Sequence, residues 1–235
     1  MNSQFAGKAV LVAGGTGGLG RAVSLAFLEA GAFVAVTFRR REELSALEAA
    51  AGTGSARLEG FAVDVTNEAA AKAFVESIRA QHGRLDVLVN TVGAFVGGKK
   101  LWEEDSGVLD RMLELNLRSG WALARAAVPV MLAEGRGAIV NVAAQAGLSP
   151  SAGLGAYAAS KAGAVAMLSS LAADLNGTGV RVNTVLPNII DTEANRKAMP
   201  NADFSKWRKP EEIARVILFL CGEEARAVHG AAIPV

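Results

Sequence analysis

An apolar run, Ala9-Val10-Leu11-Val12-Ala13, passes directly into Gly14-Gly15-Thr16-Gly17-Gly18-Leu19-Gly20, and this junction limits the possible folds more than any other feature of the chain. Arg21 to Ala30 follows, with apolar residues at Ala22, Val23, Leu25, Ala26 and Phe27. Strand, glycine turn and amphipathic helix together form the setting that a phosphate-binding turn requires. Glycines let backbone approach a pyrophosphate, and the N–H groups and dipole of the helix start then face that anion. A flexible linker has the same glycines, but it is not clamped between an apolar strand and a helix. Gly14, Thr16, Gly17, Gly18, Leu19 and Gly20 are therefore candidate phosphate-turn residues.

Strand-like runs alternate with helix-like segments along the rest of the chain. Strands are expected at residues 8–13, 33–38, 57–63, 86–90, 137–142, 180–186 and 231–235, and helices at 18–30, 41–50, 67–81, 106–133, 156–176 and 211–220. Alternating βα units imply an α/β fold: a doubly wound parallel sheet of about seven strands with helices on both faces. No repeat and no linker rich in Pro, Gly and Ser divides the chain, so residues 1–235 are read as one domain. Residues 191–210 are the one long segment without periodicity. Loops of that length are usually functional, and this one lies beyond the sheet's carboxyl edge, where α/β folds bind ligands.

Composition excludes several classes. Half of the residues are apolar and the net charge is +1, so nothing marks a nucleic-acid or membrane surface. Apolar stretches are strand-length or interrupted by charge, which argues against a membrane-spanning helix. Met1-Asn2-Ser3-Gln4-Phe5 leads into the first strand without room for a signal peptide. Cys221 is the only cysteine; it reads as a small core-facing side chain and suits a reducing cytoplasm. His82 and His229 have no partner at metal or triad spacing, so no metal is expected.

The only tyrosine, Tyr157, begins Tyr157-Ala158-Ala159-Ser160-Lys161. Positions i and i+4 share a helix face, which places the Lys161 ammonium beside the phenol. A nearby cation favours the phenolate and is expected to pull a tyrosine pKa of about 10 towards neutrality. That makes Tyr157 a candidate proton donor. A surface helix with a tyrosine half in the core has the same pattern.

With both motifs in this order, the chain resembles the short-chain dehydrogenase/reductase family from about Gly7 to its last residue. The family's glycine pattern falls on Gly14, Gly18 and Gly20, with Ala13 where threonine is usual. Asp64-Val65 resembles the pair that contacts adenine, and Asn90-Thr91-Val92-Gly93 the segment after the fourth strand. Asn116 matches the helix asparagine of the family's proton relay. Residues 187–192 resemble the segment over the nicotinamide, with Asn188 where glycine is expected. The resemblance implies a Rossmann-type oxidoreductase whose nicotinamide dinucleotide is held by the glycine turn and by Asp64, Val65, Asn90, Val92, Gly93, Tyr157, Lys161, Pro187, Ile190 and Thr192. Tyr157 would be the general acid, Lys161 would lower its pKa and hold the nicotinamide ribose, and Asn116 would anchor the relay water. A homo-oligomer, dimer or tetramer, is implied too, with helices 106–133 and 156–176 as the pairing surfaces. Family members usually continue a little past the point where Val235 stands, so a C-terminal tail is expected.

At the end of the second strand an NAD-binding fold commonly places Asp or Glu, whereas an arginine accommodates the 2′-phosphate of NADP. Phe38 occupies the acidic position and Arg39-Arg40-Arg41 follows. A solvated helix start neutralised by Glu42 and Glu43 accounts for Arg40 or Arg41. Arg39, whose planar fork suits phosphate, is read as the ligand, so NADP is expected over NAD.

One departure concerns the substrate. Family members carry a serine thirteen residues before the tyrosine, donating to the substrate carbonyl, and Ala144 stands there. Loss of one such donor commonly costs about 10²–10³ in rate. Gln145, Ser149 and Ser151 are the nearby substitutes. A second resemblance bears on this gap. Asp191-Thr192 and Asn195-Arg196-Lys197-Ala198-Met199-Pro200-Asn201-Ala202-Asp203-Phe204-Ser205-Lys206-Trp207 are similar to the substrate loop of dihydropteridine reductases. Those enzymes also carry alanine for the serine, and Gly93-Ala94-Phe95-Val96-Gly97-Gly98 is similar to their fourth-strand loop. Their quinonoid pterin offers no ketone oxygen to grip; they typically have an acidic residue ending the second strand, which this chain lacks. Trp207 and Phe204 either stack on a flat ring or fold the loop onto the core.

The expected function is hydride transfer from NADPH to a small unsaturated acceptor, a pterin-like ring among the candidates. The alternatives are a carbonyl or 3-oxoacyl thioester reductase and a non-catalytic dinucleotide-binding sensor or scaffold. Ala144 is the only support for the last, and the intact tyrosine, lysine and asparagine oppose it.

Overall fold

The first strand sets the architecture. In the computed structural model, which describes residues 4–235, all five residues of β1 (Ala9–Ala13) are buried. Met1, Asn2 and Ser3, the start of the segment read above as leaving no room for a signal peptide, lie outside the described residues. Val10 and Val12 pack on one side against Val23, Phe27, Leu44, Ile213 and Ile217. Leu11 and Ala13 pack on the other side against Phe74, Ile78, Leu123 and Met131. A strand covered on both faces needs an unbroken apolar run, not an alternating one.

The remaining elements are α1 (Gly18–Glu29), β2 (Phe33–Thr37), α2 (Arg41–Ala51), β3 (Leu58–Phe61), α3 (Glu68–His82), β4 (Val87–Asn90), α4 (Gly107–Leu113), α5 (Ser119–Ala133), β5 (Gly137–Val142), α6 (Gly155–Asp174), β6 (Val180–Leu186), α7 (Glu193–Ala198), α8 (Pro210–Cys221) and β7 (Ala232–Pro234). All strands are parallel, in the order β3-β2-β1-β4-β5-β6-β7. This is the Rossmann-type doubly wound sheet. Its order reverses between β1 and β4, so the chains leaving those two strands diverge and open a crevice at the carboxyl edge. None of the described helices is long and apolar enough to cross a membrane.

Three expected elements differ in detail. Strand β3 is shorter than residues 57–63 because Thr66 donates both N–H and hydroxyl to Asp64 and Asn67 then caps α3, turning the chain out of the ladder. The expected helix 106–133 is three pieces: α4, a π turn at Glu114–Arg118, and α5. The segment 191–210 is not all loop. Thr192 accepts from the Asn195 N–H and so starts α7.

Candidate active site

The turn after β1 works by close backbone approach. Gly14 has φ of 73°, a left-handed conformation that favours glycine, and donates its N–H to Thr37 Oγ1 at 2.8 Å. A Cβ on Gly20 would lie 2.0 Å from the Gly14 carbonyl oxygen, so only glycine lets the helix start close on the turn. Across from it, a Cβ on Gly18 would lie 2.7 Å from Thr192 Cγ2, which shows how near the loop after β6 comes to the helix start. In that loop Ile190 bridges to Arg208, and Pro187 accepts from the Gln145 N–H at 3.1 Å, tying the loops after β5 and β6 together. The Leu19 and Val65 side chains are buried in the core, so only their backbone can serve a ligand.

A cleft of about 650 Å³ opens between these turns, lined by Gly14, Thr16, Arg39, Asp64, Val92 and Gly93 among others. Its cations are not equivalent. Arg40 pairs with Glu43 and Arg41 with Glu48, while Arg39 makes no ion pair among the described residues. Asp64 is held below the usual carboxylate range by the Thr66 N–H and hydroxyl, with the Arg39 charge adding to the effect. Glycine cradle, free guanidinium and adenine-side carboxylate fit a dinucleotide.

At the next crevice wall, Asn90 donates to Asn141 Oδ1 (2.9 Å) and Ser119 Oγ (3.2 Å) and accepts from the Val92 N–H, fixing the turn into Val92 and Gly93. A Cβ on Gly93 would meet Asn116 Oδ1 at 2.8 Å and Lys161 Nζ at 3.1 Å, so the missing side chain is what lets those groups reach the crevice. The Asn116 side chain is fully used. It exchanges hydrogen bonds with the Ala94 N–H and carbonyl (2.9 and 3.0 Å) and donates to Ser160 Oγ (2.9 Å), which donates to the Tyr157 carbonyl. Asn116 lies inside the π turn, a distortion that recurs at functional sites.

Tyr157 and Lys161 lie on α6, one helical turn apart, and both are desolvated. The expected direction of the tyrosine shift is reversed: burial pushes the Tyr157 phenol up. Lys161 is 5 % exposed, donates to the Val142 carbonyl at 3.1 Å, and is itself pushed down by burial to about 8. At about 8 the lysine still carries its charge at neutral pH, so the upward shift of the phenol comes from the desolvation of the phenol itself. A phenol that keeps its proton through neutral pH is nonetheless in the form a general acid needs.

The substrate side is apolar. Ala144 is buried and offers no donor; Gln145 is partly exposed, and Ser149 and Ser151 are exposed. Trp207, for which stacking on a ring and folding of the loop were both open, is 9 % exposed and packs on Phe204 at 4.7 Å between centroids, with the Arg196 guanidinium on Phe204 at 4.8 Å. Those contacts fold the loop onto itself and leave little of the indole for a ligand. A different aromatic is open to solvent beside the tyrosine: Phe95, 63 % exposed, lies edge-on to Tyr157 at 4.9 Å. Leu101 covers Gly155 beside it. Phe95 and Ser160 carry no signal of their role in the sequence, because only the packing of the loop after β4 on α6 places them. Asn141, one residue from the end of β5, gave no sequence signal. His229 is spent on backbone, with Nδ1 accepting from the Val182 N–H and Nε2 bonded to the Ala172 carbonyl.

Comparison with known proteins agrees with this geometry. The family described as short chain dehydrogenase matches residues 8–203. The 3-oxoacyl-acyl-carrier-protein reductase FabG of Thermotoga maritima is 33% identical over 97% of this chain and 96% of its own. Among solved structures, NADP-bound ElxO superposes with a TM-score of 0.91 at 26% identity, covering 97% of this chain and 96% of that one. NAD+-bound xylitol dehydrogenase does so with a TM-score of 0.90 at 25% identity, covering 98% of both chains. Glycine turn, tyrosine–lysine helix and whole-chain similarity together establish that this protein belongs to the short-chain dehydrogenase/reductase family and is an oxidoreductase of nicotinamide dinucleotides.

Proposed function

We propose that this enzyme uses NADPH to reduce a small, flat, unsaturated acceptor, pterin-like, that presents no ketone oxygen to grip. The observation carrying the reading is the buried Ala144 methyl, thirteen residues before Tyr157 at the family's serine position, together with the exposed Phe95 ring against that tyrosine. The dinucleotide, when bound, supplies the hydride. Tyr157 holds the proton that completes the reduction, and burial keeps it there through neutral pH. Lys161 and Asn116, which lie directly behind Gly93, are assigned to the nicotinamide ribose and to the relay water respectively. Arg39, without an ion-pair partner among the described residues, favours the phosphate of NADPH; the similar structures include one bound to NADP and one bound to NAD+, so the preference rests on Arg39 alone. The loop at residues 191–210 closes the acceptor side. Leu109 and Trp121, exposed on α4 and α5, support self-association through these helices, and one buried cysteine suits a cytoplasmic setting.

A second reading, reduction of a 3-oxoacyl thioester, draws on the Thermotoga maritima relative. NADPH oxidation against quinonoid dihydropterin, quinones and 3-oxoacyl thioesters separates the two. Ala144→Ser sharpens the test. It should leave the flat acceptor's turnover unchanged or lower, and raise activity on simple ketones, where a well-placed donor is worth about 10²–10³. A wild type efficient on 3-oxoacyl thioesters and inert with the rings overturns the first reading.

A further inference from the structure

Glu43, at the start of α2, lines the same cleft as Arg39 and Asp64. One carboxylate oxygen accepts from the Thr16 hydroxyl of the glycine turn at 3.2 Å, and the other pairs with Arg40. Its side chain is 29 % exposed, so the charge is partly shielded from solvent. It is therefore anchored to the turn that receives the phosphates, on the side where Phe38 replaces the usual acid. We propose that Glu43 is a specificity-determining residue of the nucleotide cleft, its carboxylate favouring a ribose hydroxyl and opposing a ribose phosphate. A carboxylate only accepts hydrogen bonds, so it suits a hydroxyl donor and repels a phosphate carrying nearly two negative charges. Arg39 pulls the other way, and the two residues together set how far the cleft admits both nucleotides. The inference rests on the reading of Arg39 as the phosphate ligand.

The test is direct binding, independent of the acceptor. NADPH and NADH are each titrated into wild type, Glu43→Gln, Arg39→Ala and the double variant Glu43→Gln/Arg40→Gln, followed by nucleotide fluorescence. Glutamine keeps the shape and can still accept from Thr16. The NADPH-to-NADH affinity ratio should rise about three- to tenfold in Glu43→Gln, and the gain should shrink in high salt. It should persist in the double variant, because the lost carboxylate and not a released Arg40 causes it. A ratio that stays unchanged, moves towards NADH, or gains only while Arg40 is present overturns the proposal. If Arg39→Ala keeps the wild-type ratio, the Arg39 reading falls on its own, while Glu43 is still judged by Glu43→Gln.

Discussion

At the scale of single residues, the proposed proton donor rests on one side chain. Tyr157 is the only tyrosine, and removing its oxygen alone is a clean substitution. Tyr157→Phe should leave nucleotide affinity within error and lower reduction by at least about 10²-fold, the usual cost of a lost general acid. An undiminished steady-state rate would remove Tyr157 from the chemistry. The three arginines after β2 make the same point about single residues. They are identical by type, yet partners on α2 occupy two of them and leave Arg39 facing the cleft. Sequence singled out Arg39 because the glutamates that follow account for Arg40 or Arg41 as a solvated helix start. The direction of the tyrosine pKa was not legible, since i, i+4 spacing reports proximity and says nothing of how dry the pair is.

At the scale of elements, the site depends on how the loop after β4 is fastened to α6. The π turn presents Asn116, which grips Ala94 on one side and Ser160 on the other. Ser160→Ala removes the 2.9 Å contact and leaves the Asn116 amide the Ala94 carbonyl and the weaker Met112 Sδ acceptor at 3.7 Å, a loss of about 0.5–1.5 kcal/mol. For a chain of this length that corresponds to a melting temperature lower by a few degrees, at about 2–4 °C per kcal/mol. The rate should fall as well, with nucleotide affinity held, because the Phe95 loop loosens over Tyr157. A thermal scan and a Michaelis curve check both. Unchanged stability would mean that water replaces the hydroxyl. The apolar pattern of residues 106–133 reads as one helix since a π turn keeps the same buried face; only the backbone bonds record the break.

For the whole molecule, the buried lysine couples folding to pH. Folding takes the Lys161 pKa from the ordinary 10.5 to about 8. Between those values the unfolded chain binds more protons than the folded one, so stability rises with pH across that window and is lower below about 8. The size is on the order of 3 kcal/mol. Tyr157, raised by burial, acts in the opposite sense on the alkaline side, so the measurement is a difference: urea unfolding of wild type against Lys161→Met as pH rises. The variant should lack the rise. Parallel curves would show that the lysine is hydrated in solution.

The alternation of strand and helix, the glycine turn, and the order of Tyr157, Lys161 and Asn116 were determined by sequence alone. Each is written in local periodicity or in residues whose geometry few others can adopt. Such signals placed β1 and the crevice beside it, along with the family. Tertiary structure alone decided which side chains were left to act. Packing buried Trp207 within its own loop and set Phe95 on Tyr157, and it put Glu43 beside Thr16. Dehydration, which follows from what surrounds a group and not from its neighbours in the chain, set the proton affinities of Tyr157 and Lys161.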